Sequence, residues 1–204
     1  MAFNHGNKSI VTDQLIYSVD TKDKNSYVGS GTAVIDLASG IEATLSGGPS
    51  FDASGYLDFD GSNDYMDMGF APTNAICQDG FAWGYWFNWD ATTGNKIQGV
   101  IDTPGGTDSG RVYMGAYNTN FMTGCGSVYV HNTGGTIPIG EWLYCVMSFD
   151  GNETCRTYLN AELKHTMTGI SFSINGNRNI IWGACDNDGL SLIHISEPTR
   201  RYAI

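Results

Sequence analysis

The amino-acid sequence predicts an all-β domain of antiparallel strands, built as a sandwich or a barrel. Three observations carry this. About ten short segments with two-residue alternation or compact apolar character recur at regular spacing, each bounded by turn residues. Glycine supplies 27 of the 204 residues and aromatics 12%, against only 5 prolines, the balance that tight turns between packed strands require. Long apolar stripes of helical period are missing, and glutamate, a good helix former, is confined to Glu42, Glu141, Glu153, Glu162 and Glu197.

The first expected strand is QLIYSV at 14–19. A brief one at 43–45 precedes the Gly47-Gly48-Pro49 turn. In 55–68, Tyr56, Asp58 and Asp60 alternate with Leu57 and Phe59, the period of a half-buried strand; Gly61-Ser62-Asn63 then turns the chain before Tyr65 to Met68 leaves again. FAWGYWFNW at 81–89 is the strongest segment. Phe81, Trp83, Tyr85, Phe87 and Trp89 share one face, expected to be core, while Ala82, Gly84, Trp86 and Asn88 share the other. Further strands are expected at 96–101 and 111–117, separated by Pro104-Gly105-Gly106, and at 127–131. EWLYCVMSF at 141–149 pairs as a hairpin with 154–159 around Asp150-Gly151-Asn152, because Asp-Gly accepts the positive φ of a tight turn. Asn160-Ala161-Glu162 leads into 163–167, and 180–184 is the last strand. With no repeat, linker or low-complexity block, the pattern reads as one domain.

A net charge of −11 without an offsetting basic stripe repels phosphate, so nucleic acid is not an expected partner. No run approaches the ~20 apolar residues of a membrane span, and MAFNHGNKSIVTDQ lacks the apolar centre of a signal peptide. The five cysteines (Cys77, Cys125, Cys145, Cys155 and Cys185) show no close metal-ligand spacing. They read as free thiols, with a Cys145–Cys155 bridge across the hairpin as the alternative.

Several blocks, in order, resemble the concanavalin A-like, laminin-G-like lectin superfamily. LDFDGSNDYMDMG (57–69) is similar to its "FDG-x-NDYV" block, and FAWGYWFNW to its aromatic strand. In 137–165, Trp142, Phe149, Asp150, Gly151, Tyr158, Leu159 and Asn160 stand at the matching places of its tryptophan-to-"DG" hairpin. Ala161 departs from the usual glycine, which implies a different turn there. IIWGACDNDG (180–189) resembles the late "IG" strand and loop. The opening, 11–51, resembles the version found in structural proteins of tailed phages. The resemblance covers roughly 11–189 and implies a two-sheet antiparallel jelly-roll sandwich that binds sugars or surfaces, in a virion or an extracellular setting, with a glycan or cell-surface polysaccharide and other virion proteins as partners. In the family the final strand pairs with the first.

Residues 190–200, LSLIHISEPTR, resemble a translated adapter of the kind used to build sequencing libraries. The expectation is therefore a domain at 1–189 that lacks its last native strand, leaving the 14–19 edge unpaired, and a non-native tail at 190–204. LSLIHIS alternates by chance and mimics a strand.

Aromatic faces stack on the apolar face of a pyranose. Trp86, opposite the core face of its strand, is one candidate; Tyr113 and Tyr117, which share a face of 111–117, are the others, against the plainer reading of packing beneath a loop. Asp186 and Asp188, on a loop after a strand, are candidate Ca2+ ligands, against a solvated loop. Asp58, Asp60, Asp64 and Asp67 suit backbone-amide bonding in their own turn better than a metal, and their spacing is not that of an EF-hand. Asp102 and Asp108, beside the Pro-Gly-Gly loop, are weaker candidates. The glucanases that resemble this fold carry E-x-D-x-x-E on one strand; this sequence has no such string, nor G-x-S-x-G, H-E-x-x-H or a P-loop. His5, His131 and His165 are isolated. The reading is a non-enzymatic binding module with no catalytic residues. A glycoside hydrolase using scattered carboxylates and a ligand-free virion module are the alternatives.

Overall fold

The structure, a computed structural model, describes residues 13–60, 63–71, 79–89, 95–101, 111–117, 120–130, 135–171, 179–183 and 195–196. These form strands and turns without a helix. In chain order the strands are β1 (Ala33–Ile35), β2 (Glu42–Ser46), β3 (Ser50–Asp52), β4 (Tyr56–Asp58), β5 (Tyr65–Asp67), β6 (Phe81–Asn88), β7 (Asn95–Ile101) and β8 (Arg111–Tyr117), followed by β9 (Asn120–Gly126), β10 (Val128–Val130), β11 (Trp142–Phe149), β12 (Cys155–Leu159), β13 (Glu162–Met167), β14 (Ile181–Trp182) and β15 (Ile195–Ser196). One sheet has eight strands, β1-β2-β5-β14-β7-β8-β9-β10; a second has four, β13-β12-β11-β6; a third has three, β15-β4-β3. Every pairing is antiparallel. β15 also lies against β6, so the two smaller sheets adjoin.

Alternation decides which side chains meet between the layers. Tyr85, Phe87, Leu143, Cys145, Met147, Phe149, Cys155 and Leu159 come from the four-stranded sheet. Val34, Leu45, Met66, Val112, Met114, Phe121 and Trp182 come from the eight-stranded one, and all of them join one buried cluster. Phe81 and Trp83 pack against it partly buried, and Trp89 is fully buried, so the odd-numbered aromatics of β6 face the core. The Tyr85 hydroxyl donates across the sandwich to the Met114 carbonyl at 3.0 Å.

Two expectations need correction. Residues 14–19 are not a strand. The Ser18 amide donates to Asp36 Oδ1 at 2.6 Å, its carbonyl accepts from Leu37, and the Tyr17 hydroxyl donates to the Met68 carbonyl at 3.0 Å. Local capping by a buried carboxylate thus takes the backbone groups that a ladder would use. Within LSLIHIS, the segment expected to mimic a strand, β15 pairs with β4 through Ile195↔Leu57 and Ser196↔Tyr56. The Asn160-Ala161 turn, finally, keeps the geometry that glycine would have. Leu159 pairs with Glu162, and the two central residues have φ of 50° and 66°, as a two-residue I′ hairpin demands. A β-carbon there costs about 1 kcal/mol.

Cys125, Cys145 and Cys155 are buried, and Cys145 and Cys155 are free thiols. Cys145 is paired with Leu159, and Cys155 with Phe149, so the two thiols occupy different rungs of the hairpin and form no bridge. Burial pushes the Cys145 thiol up to about 12, which makes it a hydrophobic core residue and not a nucleophile. Cys77 and Cys185 lie outside the described residues.

Candidate functional site: an aromatic platform on the outer sheet face

The even-numbered positions of β6 and β11 point away from the core. The register sets Trp86 opposite Tyr144, Gly84 opposite Val146 and Asn88 opposite Trp142. Trp86 is half-buried, and its ring lies 5.2 Å from that of Tyr144 with a 36° tilt. Gly84 makes room for this. A β-carbon there would sit 3.0 Å from the Tyr144 hydroxyl and 2.9 Å from the Cys145 carbonyl, so Tyr144 can lean across β6 only over a glycine. The backbone of Tyr144 is held from the other side by Asn160, whose side-chain oxygen accepts its amide at 2.9 Å and whose amide donates to its carbonyl at 2.8 Å.

A second pair continues the surface. Trp142 is 38% exposed and stands two residues before Tyr144 on the same face. Its ring lies 5.6 Å from that of Tyr56 in β4, at 59°. Asp52, opposite Tyr56 in β3, accepts the Ser54 amide at 2.7 Å. That bond, aided by the side chains of Ser54 and Tyr56, holds the Asp52 carboxyl below the usual carboxylate range. Tyr158, half-buried and opposite Val146, completes the aromatic content of the face.

Of the residues singled out from sequence, Trp86 lies on this platform. Tyr113 does not: it sits in β8 of the other sheet, 6% exposed, with its ring over Gly124 so closely that a β-carbon at 124 would overlap it. Its neighbours Val112 and Met114 face the core, which puts Tyr113 on the far side of the eight-stranded sheet, away from Trp86. Tyr117 ends β8, its backbone paired with Asn95 and Asn120, and its side chain lies outside the described residues. Asp186, Asp188, Asp102 and Asp108 lie outside them too.

Asp64 and Asp67 serve their turn. Asp64 is buried and accepts the Asp60 amide at 3.0 Å; Asp67 accepts the Gly69 amide and the Asn179 side chain, each at 2.8 Å. Burial pushes the Asp64 carboxyl up, and the charges of Asp60 and Asp58 add to this against the Asp60 amide bond. Among the described residues no three potential ligands group as a metal site would require.

Tyr144, Trp142 and Tyr56 were not singled out from sequence. The signal was the phase of 142–149, where Trp142 and Tyr144 alternate with Leu143 and Cys145 and so share the outward side with Trp86 once the strands pair.

Residues 60–192 match a laminin-G family model described as the concanavalin A-like lectin/glucanases superfamily. No curated protein matches the sequence. Among solved structures, the binding domain of botulinum neurotoxin serotype D is similar with a TM-score of 0.61 at 13% identity, covering 89% of this chain and 46% of that one. Trypanosoma rangeli sialidase, in complex with the inhibitor DANA, gives 0.60 at 10%, covering 82% and 28%. Domain 4 of AbnA, a GH43 extracellular arabinanase from Geobacillus stearothermophilus, in complex with arabinotriose, gives 0.52 at 15%, covering 89% of each chain. The chain thus spans less than half of the toxin domain and less than a third of the sialidase, and at these identities the likeness is one of fold. By its family match and its sheet architecture, the chain belongs to the concanavalin A-like lectin/glucanases superfamily, as a laminin-G-like domain.

Proposed function

We propose that this chain is a non-enzymatic carbohydrate-binding module that stacks glycan on Trp86, Tyr144, Trp142 and Tyr56. The observation that carries the reading is the pair of ring contacts on the solvent side of the sheet, one at 5.2 Å and one at 5.6 Å. Core packing does not call for them, because the core is filled from the opposite face of the same strands. An exposed tryptophan beside further aromatics is the kind of apolar surface that marks a binding site. Tyrosine and tryptophan present an apolar ring and a polar tip, which suits a sugar's CH face and its hydroxyl rim. Two structural relatives support the class: one is titled a binding domain, and another is a domain in complex with arabinotriose.

Hydrolysis needs a carboxylic acid that can donate a proton to the leaving oxygen. Asp52 is a carboxylate hydrogen-bonded beside Tyr56, and the Ser54 amide holds it in the ionised form. That suits hydrogen-bond acceptance from a sugar hydroxyl and opposes acid catalysis. The finer reading, display on a phage particle with glycan and neighbouring virion proteins as partners, is supported by the likeness of 11–51 to phage structural proteins; capsid or tail genes beside its gene are the expected context.

Affinity electrophoresis against a panel of soluble polysaccharides tests the function. At least one polysaccharide should retard the chain, the combined Trp86→Ala and Trp142→Ala variant should run freely, and EDTA should change nothing. Reducing ends should not accumulate on prolonged incubation. Retardation by no polysaccharide, or retardation that survives the double substitution, overturns the proposal; released reducing ends would transfer the chain to the hydrolases.

A further inference from the structure

We infer that the seam between β4 and β6 is an acceptor site for one added β-strand from a partner polypeptide, an extended segment whose apolar residues alternate with polar and basic ones. The inference is independent of glycan binding. Its ground is the way the two smaller sheets meet. β6 ends the order of the four-stranded sheet, and β4 would end the other small sheet but for β15. β15 pairs with β4 and lies against β6, so a strand in this place joins the two sheets into one layer. The strand now seated is too short for the place. It has two residues, against eight in β6, whose edge runs for ~26 Å. Without it β3 and β4 form a two-stranded ribbon, which is marginal on its own. The seated residues belong to LSLIHIS, which resembles translated adapter sequence and not a strand selected for this seat. The seat therefore accepts a strand by its pattern.

The two outer edges of this layer are treated differently. β13, at the far end of the four-stranded sheet, is blunted by a register shift against β12 and by Lys164. β6 pairs with β11 without a shift, and FAWGYWFN contains no charge and no proline. A long, flat, apolar edge of this kind has to be covered. Its surroundings set the chemistry of the cover. Residues directly opposite each other in an antiparallel pair share a face. Leu57 is buried, and Tyr85 and Phe87 of β6 are buried too, so a donor residue on the Leu57 rung closes the core and has to be apolar. The neighbouring rungs, Tyr56 and Asp58, are half-buried and on the other face, where a polar donor residue suits. Lysine or arginine opposite Asp58 gains an opposite charge, and the net charge of −11 favours a basic partner.

Fluorescence anisotropy and hydrogen exchange on the full chain test the inference. The probe is a labelled peptide of about ten residues in which valine and lysine alternate; the control has the same composition with the valines contiguous. Ile195→Lys puts a charge on the rung of Leu57 and frees the seat. That variant should bind the alternating peptide at least about tenfold more tightly than the control, and more tightly than the parent does, because the parent's own strand competes from the same chain. Asp58→Lys, added to it, should weaken binding roughly twofold to fivefold through like charge. In the parent, excess alternating peptide should slow amide exchange at 56–58 and 81–88 and leave 162–167 unchanged, a readout that stands even if Ile195→Lys does not fold. Equal affinity for the two peptides, or protection at 162–167 as strong as at 81–88, overturns the inference. So does a concentration-dependent dimer of the parent that Ile195→Lys abolishes, because the seat then belongs to a second copy of this chain.

Discussion

Tyr85→Phe removes one oxygen from the centre of the sandwich and leaves the ring. The hydroxyl donates to the Met114 carbonyl at 3.0 Å, from β6 of one sheet to β8 of the other. That carbonyl sits where the β7–β8 ladder slips register, between Gln98 and Val100, opposite Met114 and Tyr113. A bulge of this kind disrupts a ladder locally, so the cross-sheet bond compensates a strand group at the irregularity. The ring contacts to Trp182 at 4.9 Å and to Phe87 at 5.9 Å are kept in the variant, and packing loss is small. The cost is then that of a buried carbonyl losing a donor, about 1–3 kcal/mol. For a chain of this length it lowers Tm by about 3–10 °C. Urea titration followed by tryptophan fluorescence reads it as a lower midpoint at unchanged slope. A variant within about 0.3 kcal/mol of the parent, well below the range for an unsatisfied buried group, refutes the claim that this bond ties the two layers together.

Three further outcomes follow from the same structure. Ala161→Gly should stabilise the fold by about 1 kcal/mol, because φ of 66° burdens a β-carbon and not a glycine; an unchanged urea midpoint contradicts the strain. Thr157→Val should raise the midpoint by about 1 kcal/mol, since the Thr157 hydroxyl is buried without a hydrogen-bond partner and valine fills nearly the same shape; a loss of similar size would mean that the hydroxyl is bonded. Stability should fall as pH rises past 10.0. Burial raises the Tyr17, Tyr27 and Tyr85 hydroxyls above that ordinary value, with the charges of Asp36 and Asp67 adding at Tyr17, so the unfolded chain gives up these protons first. Their contribution is complete below 10.0 and is lost on the way up to the folded values; urea midpoints that stay level from pH 8 to pH 11 would contradict it.

Much of the architecture was legible because alternation is a local signal. β6 and β11 announce their buried and open faces in eight residues each, and Asp150-Gly151-Asn152 marks the hairpin from β11 to β12, where Asp150 Oδ1 accepts the Asn152 and Thr154 amides. β9 was missed for the opposite reason. From Phe121 to Gly126 every position is buried, so both faces are covered and NFMTGCG shows no alternation to read. Residues 14–19 misled because apolar content marks burial without specifying pairing: Val19 is buried, but Asp36, seventeen residues on, captures the backbone beside it. The platform was half legible for a related reason. Trp86 follows from the phase of its own strand, whereas its partner Tyr144, 58 residues later, depends on the β6–β11 register, which no single segment encodes.

A plainer explanation of the outward aromatics is that they stabilise the sheet. Aromatic cross-strand pairs do so, by roughly 0.2–1 kcal/mol each. The two explanations part company in a double-mutant cycle on Trp86 and Tyr144, read twice, once by urea midpoint and once by polysaccharide affinity. If the pair exists for the sheet, Trp86→Ala and Tyr144→Ala should couple in stability by about 0.5–1.5 kcal/mol and leave affinity untouched. If it exists for the ligand, affinity should collapse with either residue while stability moves by a smaller amount, because each ring loses only its half-exposed contact and none of the core beneath it. Gly84→Ala separates the cases again. It adds a methyl against the Tyr144 hydroxyl and the Cys145 carbonyl, so it should tilt the ring and weaken binding, and the fixed carbonyl offsets the gain in strand propensity of alanine over glycine. Binding impaired far beyond the accompanying loss of stability in that one variant is the combination a purely structural pair cannot produce.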